Sequence, residues 1–148
     1  GFEAGRDVHF VVETERGHDL GRVIDQGCAA PYTGIPGTIG GEAIGRVVRA
    51  PRSGRFVASK AIADLVKAGD ALGRVEDLAV TAAIGGVIRG LLADGRIVRE
   101  GQKVGDIDPR GDRRLCFTIS DKANAVAGGV LEAVFRSFPA VSHWSKMR

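Results

Sequence analysis

A mainly β domain with pseudo-twofold symmetry, preceded by a β-hairpin and followed by one α-helix, is the fold class this sequence predicts. Three observations carry that reading. The middle of the chain repeats itself without a gap: a shift of thirty-two residues lays Val48, Ala50, Gly54, Ala61, Val66, Gly69 and Gly73 on Val80, Ala82, Gly86, Ala93, Val98, Gly101 and Gly105. Glycine is abundant, at 22 residues, and has no collagen period, which suits many turns between short strands. A helical apolar period occurs at one place, near the C-terminus. Two copies are too few for a solenoid, so the repeat points to one duplicated β domain.

The elements follow in order. Asp7–Thr14 reads as a strand, Glu15–Asp19 as a turn and Leu20–Ile24 as the returning strand. Residues 27–41 are too rich in Gly and Pro for regular structure and read as a connection wrapping the barrel. Each repeat copy then reads strand, turn, strand, turn, strand. Its signature Val-x-x-Gly marks a strand end and a tight turn, where glycine reaches positive φ without steric cost. Asp106–Asp112 is a charged turn in which Arg110, Arg113 and Arg114 offset three carboxylates, so a salt-bridged turn is expected there rather than a cation site. Leu115–Ile119 is expected to be extended. Ser120 or Asp121 caps a helix through Phe135, with Ala123, Val126, Val130, Leu131, Val134 and Phe135 on one face. The Gly128-Gly129 pair costs about 1 kcal/mol per residue in helix propensity, which is tolerable where the helix backbone packs closely on a neighbour. The resulting organisation is one compact domain. Residues 1–45 form the hairpin and connection, 46–109 the duplicated β core, 110–138 a strand plus helix, and 139–148 a tail.

Composition excludes several function classes. A net charge of +3 with scattered basic residues and no interleaved aromatics argues against nucleic acid. No apolar run reaches the length of a membrane span. Cys28 and Cys116 lie far apart, without Cys-x-x-Cys, and suit a pair of buried reduced thiols in a cytoplasmic protein better than a disulfide. The histidines, His9, His18 and His143, show no zinc-type spacing, so no metal site is expected. The start at Gly1 suggests a fragment or a processed chain.

The repeat signature Val-x-x-Gly-[Asp/Gln]-x-[Leu/Val]-Gly-x-[Val/Ile], twice preceded by Ala-x-x-x-Gly-x-[Phe/Ile], resembles the biotinyl/lipoyl-type barrel-sandwich hybrid. In carriers of that type the modified lysine sits on the hairpin between the halves. Here that hairpin, Val75–Thr81, has none, and Lys60, Lys67 and Lys103 lie elsewhere. No covalently bound biotin or lipoate is therefore expected.

Longer motifs carry a second resemblance. They include Glu13-Thr14-x-Arg16-Gly17-His18-x-Leu20-Gly21-Arg22-Val23-Ile24, Thr33-Gly34-Ile35-Pro36-Gly37, Gly105–Asp112, Cys116–Ala123 and Gly128–Ala133. Together they resemble the C-terminal part of the selenium-dependent molybdenum hydroxylase system proteins. The resemblance implies a non-catalytic accessory or binding module serving maturation of a xanthine dehydrogenase-class molybdenum hydroxylase, with that hydroxylase as partner. It carries no catalytic residue over. The alternative is an enzyme domain acting on a small anionic or nucleotide-like ligand, with Arg22, Asp108, Arg110, Asp112, Ser120 or Lys122 in its site. The candidate ligand residues are Thr33, Gly34, Gly37, Arg110, Ser120 and Lys122: a glycine-rich loop, a guanidinium fork and a helix N-terminus converging on an anion.

Overall fold

The computed structural model describes residues 1–33 and 37–138. The chain divides into two units, Gly1–Gly34 with Ile119–Arg148, and Ile35–Thr118.

The second unit holds the repeat. Its strands are β3 (Val47–Arg49), β4 (Gly54–Ala58), β5 (Leu65–Val66), β6 (Ala71–Val75), β7 (Leu78–Thr81), β8 (Gly86–Leu91), β9 (Ile97–Val98) and β10 (Lys103–Asp108). They form two four-stranded antiparallel sheets, ordered β3-β10-β8-β5 and β7-β6-β4-β9. The thirty-two-residue shift turns the first order into the second, strand for strand. Each sheet therefore takes two strands from each copy, and the copies interlock. Neither sheet closes on itself: β3 and β5 are the edges of one, β7 and β9 of the other.

The twofold extends to single hydrogen bonds. Gly69 N–H donates to Ala82 O at 2.8 Å, and its mate Gly101 N–H to Ala50 O at 2.9 Å. Phe56 N–H donates to Arg96 O at 2.8 Å, and its mate Ile88 N–H to Asp64 O at 2.9 Å. The core is symmetric as well. Val48, Val66, Ile88, Val104 and Ile107 from one sheet meet Phe56, Leu72, Val75, Val80 and Val98 from the other in one buried cluster. Fully burying each such side chain is worth about 1.5–3 kcal/mol, so these short strands are held by the facing sheet more than by their own ladders.

The first unit is a hairpin carrying a helix. β1 (Val11–Val12) pairs antiparallel with β2 (Val23–Ile24), Val11 opposite Ile24. The expected hairpin is present but its ladder is short. β1 ends where the Glu13 side chain turns back on the chain and accepts the N–H groups of Thr14 and Glu15, each at 2.7 Å. The expected helix is α1 (Asp121–Ser137), and Ser120 caps it by accepting the Ala123 N–H at 3.2 Å.

Two expectations need correction. Leu115–Ile119 is not a strand: Arg113–Cys116 is a turn of 3₁₀ helix, started by Asp112, whose carboxylate accepts the Arg114 N–H at 2.9 Å. An apolar run of five residues cannot by itself separate these states. The helix also buries a different face. Gly129 is its buried residue, with Ala125, Val126 and Ala133 half-buried, while Val130, Leu131, Val134 and Phe135 remain 40–54% exposed. The reason is close backbone approach. A Cβ at Gly129 would overlap the Gly21 carbonyl oxygen and reach 2.8 Å from Val12 Cγ1, and one on Gly21 would lie 2.5 Å from Ala125 O. Only small residues fit between helix and hairpin.

Candidate functional site

The buried charged residues of the second unit, Arg46 and Asp108, lie at the outer side of the sheet β3-β10-β8-β5. Irregularities of register along β10 let both Val104 and Ile107 face the core, and Asp106 and Asp108, on either side of Ile107, face outward. Asp108 is wholly buried. Its carboxylate accepts Arg110 Nε at 2.9 Å and Nη2 at 2.6 Å, the Arg110 backbone N–H at 3.1 Å, and Arg89 Nη1 at 3.3 Å. The two-pronged Arg110 bond leads in holding the carboxyl down to about 2, against the desolvation that would raise it. Two residues earlier on β10, Asp106 meets the buried Arg46, whose Nη2 donates to Oδ2 at 3.0 Å. Arg46 also donates from Nη1 to Gly37 O at 2.8 Å and from Nε to Ile107 O at 3.4 Å. The charged turn is thus salt-bridged as its composition implies, and Arg114 pairs with Asp112 in the same way.

The first unit has its own buried charge, Glu13. Besides Thr14 and Glu15, it accepts the Ala30 N–H at 2.7 Å, pinning the connection after β2 onto the hairpin. These backbone donors, Ala30 first, hold its carboxyl below the usual range, with a smaller contribution from the Lys122 ammonium. Arg16 clamps Asp121 with Nη1 to Oδ2 at 2.7 Å and Nη2 to Oδ1 at 3.0 Å, tying the hairpin turn to the start of α1.

The six candidate ligand residues fall as follows. Thr33, Ser120 and Lys122 belong to the first unit, Gly37 and Arg110 to the second, and Gly34 lies outside the described residues. Ser120 spends its hydroxyl oxygen as the α1 cap. Lys122 sits in the first turn of α1 and acts on Glu13. Thr33 is exposed in the connection. Arg110 directs its fork at Asp108, and the carbonyl of Gly37 serves Arg46. Part of the expected convergence is visible inside the second unit. Gly40 lies against Pro109 and the Arg110 side chain: a Cβ on Gly40 would stand 3.1 Å from Pro109 Cγ and 4.0 Å from Arg110 Cγ. Of the other residues named for the enzyme alternative, Arg22 pairs with Asp19 at 2.7 Å.

Sequence reasoning passed over Arg46, Arg89 and Glu13, and placed Asp106 in the charged turn whereas it lies on β10. A signal did exist for the first two carboxylate partners: Asp106 and Asp108 alternate with Ile107 on a strand, so both must face the side away from the core and need cations there. Among the described residues no group of three His, Cys, Asp or Glu could hold a metal ion, and no buried side-chain nitrogen or oxygen lacks a hydrogen-bond partner. Also among the described residues, no helix is long and apolar enough to cross a membrane.

Comparison with known proteins gives one similarity. The chain is 49% identical over 134 residues to the Escherichia coli (strain K12) protein named "Uncharacterized protein YqeB". That match takes in 90% of this chain and 25% of the relative, so the chain spans about a quarter of the length of the curated relative it matches. No family model matches the chain, and no solved structure does.

Proposed function

We propose that this chain is a non-catalytic accessory module in the maturation of a molybdenum hydroxylase of the xanthine dehydrogenase class, with that hydroxylase as its partner. The observation that carries the non-catalytic reading is the use made of the buried charges. The described residues bury three charged side chains, Glu13, Arg46 and Asp108. Each is consumed in fixing backbone or a neighbouring strand. A general acid or base needs a group poised to exchange its proton near neutral pH. Asp108 is instead held at about 2 by Arg110. The hairpin between the two halves turns at Glu76-Asp77, whose side chains accept the Arg55 N–H and pair with Arg52, and offers no lysine for a carried group.

The pathway rests on the long motifs shared with the selenium-dependent molybdenum hydroxylase system proteins. The match to a quarter of a longer relative fits a module that works as part of a larger protein. The test is genetic and biochemical. Tagged protein purified from its native host should carry the hydroxylase with it, and hydroxylase from a deletion strain should be short of active cofactor. Fully active, fully loaded hydroxylase from the deletion strain would remove the pathway from this reading.

A further inference from the structure

The twofold of the second unit relates one covered sheet face to one bare face, and the bare face is charged in the opposite sense. On β3-β10-β8-β5 the outward residues of β8 and β10 are Val87, Arg89, Asp106 and Asp108. Val87 points away from the central cluster yet is 0% exposed, and the Arg113–Cys116 turn packs on β8, while Leu65, opposite Val87 at the β5 edge, stays 54% exposed. Arg46 enters from one flank to pair with Asp106, Arg110 from the other to pair with Asp108, and the Cys116 thiol reaches the Ile88 carbonyl at 3.5 Å.

The thirty-two-residue shift carries those four positions to Arg55, Val57, Arg74 and Glu76 on the other sheet. There Arg74 stands opposite Val57 on one side and Ala79 on the other, and Arg55 opposite Ile97. Arg55, Arg74 and Ala79 are exposed, and Ile97 is 69% exposed. Among the described residues, the Arg55 and Arg74 side chains each donate to a backbone carbonyl, Gly95 O at 2.9 Å and Glu76 O at 2.7 Å, and neither makes an ion pair. The arginines of the covered face, Arg46, Arg89 and Arg110, are all ion-paired. Acids near the bare face are directed at the backbone: Glu76 accepts the Arg55 N–H and Asp94 the Ala58 N–H, at 2.7 and 2.8 Å.

We propose that the outer face of β7-β6-β4-β9 is a docking surface for an extended acidic segment of a partner protein, its carboxylates on Arg55 and Arg74 and its intervening apolar side chains on Val57 and Ile97. The covered face supplies the pattern. There, arginines brought by a passing segment pair with outward carboxylates. Here the sheet itself holds the arginines, so the passing segment must bring the carboxylates. Guanidinium forks suit carboxylates in a two-pronged geometry. A strand-like segment sets acids and apolar residues at the spacing at which side chains alternate. The inference goes beyond the maturation reading and does not depend on the partner being a hydroxylase.

The experiment uses the full chain labelled with nitrogen-15 and a ten-residue peptide of alternating Glu and Val. Saturable amide shifts should appear at Arg55, Val57, Arg74 and Ile97. Arg55→Glu/Arg74→Glu should weaken binding at least tenfold while leaving the spectrum of the remaining core in place. Arg74→Ala serves if that double variant does not fold, with a smaller loss in the same direction. Shifts elsewhere, or none, would overturn the proposal. So would equal binding of a Glu-Gly peptide of the same charge, or tighter binding of a single-stranded oligonucleotide to the same residues.

Discussion

Asp108→Asn should cost this protein about 2 kcal/mol at neutral pH, and the loss should vanish in acid. Asp108 is wholly buried, and its carboxyl is held at about 2 against an ordinary 3.8, chiefly by the Arg110 guanidinium. A drop of nearly two pH units is worth about 2.5 kcal/mol of preference for the ionised, folded form. Arg110 keeps nearly half its side chain in water, which trims that figure. The sign follows from the depressed value. The contribution is complete above pH 4, where the unfolded carboxyl is ionised too, and drains away as pH falls from about 4 through about 2. Asparagine keeps the shape but cannot attract Arg110 or Arg89. Urea unfolding followed by circular dichroism, at intervals from pH 7 to pH 2, measures both quantities. The wild-type and variant curves should lie apart at pH 7, close to about half that gap near pH 3 and converge toward pH 2. Glu13 and Asp7, also depressed, contribute equally to both proteins and cancel in the difference. Variant and wild type within 0.5 kcal/mol at pH 7, or a gap unchanged at pH 2.5, would show that the ion pair does not stabilise the fold in this way.

Gly95→Ala should cost only about 1 kcal/mol in denaturant titration, because its twofold mate already carries alanine at nearly the same backbone angle, φ +76° at Ala63 against +77° at Gly95. Gly129→Ala should destabilise the first unit by more than 2 kcal/mol, since the new methyl meets the Gly21 carbonyl, whereas Gly128→Ala, with open space around it, should raise helix stability by up to about 1 kcal/mol; helical circular dichroism through a thermal melt separates the two. Intact-mass measurement of protein from its native host should show no biotin or lipoate, on Lys60, Lys67, Lys103 or elsewhere.

What could be read in advance depended on whether local residues settled the matter. The repeat was legible because a gap-free shift preserves both the inward residues and the turn glycines; strand order was not, because it depends on pairing between the copies, and each copy holds four strands where three were expected. The cap at Ser120 and the salt-bridged turn at Asp108–Asp112 were legible for the same reason: donor and acceptor lie within a few residues. The face that α1 buries was not. Periodicity favoured Val130, Leu131, Val134 and Phe135, the large apolar residues, whereas the contact is decided by two glycines, Gly21 and Gly129, more than a hundred positions apart. Leu115–Ile119 failed differently. Its apolar content suits a strand, but Asp112 captures the Arg114 N–H and tightens the chain into 3₁₀ turns before a ladder can form. Arg110 shows the same limit at the candidate site. Its charge and loop setting suit an external anion, and only coordinates reveal the buried internal carboxylate that it serves.

The departures from symmetry locate what the duplication alone does not explain. A duplicated domain begins with two equivalent sheets, and its core has remained so: Phe56 and Ile88, Leu72 and Val104, Val75 and Ile107 occupy matched buried positions. The outer faces have diverged in opposite senses. Val87 is buried under the chain, and its mate Arg55 is exposed. Asp106 is paired, and its mate Arg74 has inverted charge and no ion pair among the described residues. On the bare face Glu76 and Asp94 are directed at the backbone, which leaves Arg55 and Arg74 without an ion pair among the described residues and beside Val57 and the exposed Ile97, cationic forks on apolar ground. The covered face shows that this fold already accepts a segment over a sheet through arginine–carboxylate pairs. The bare face presents the other half of that same chemistry.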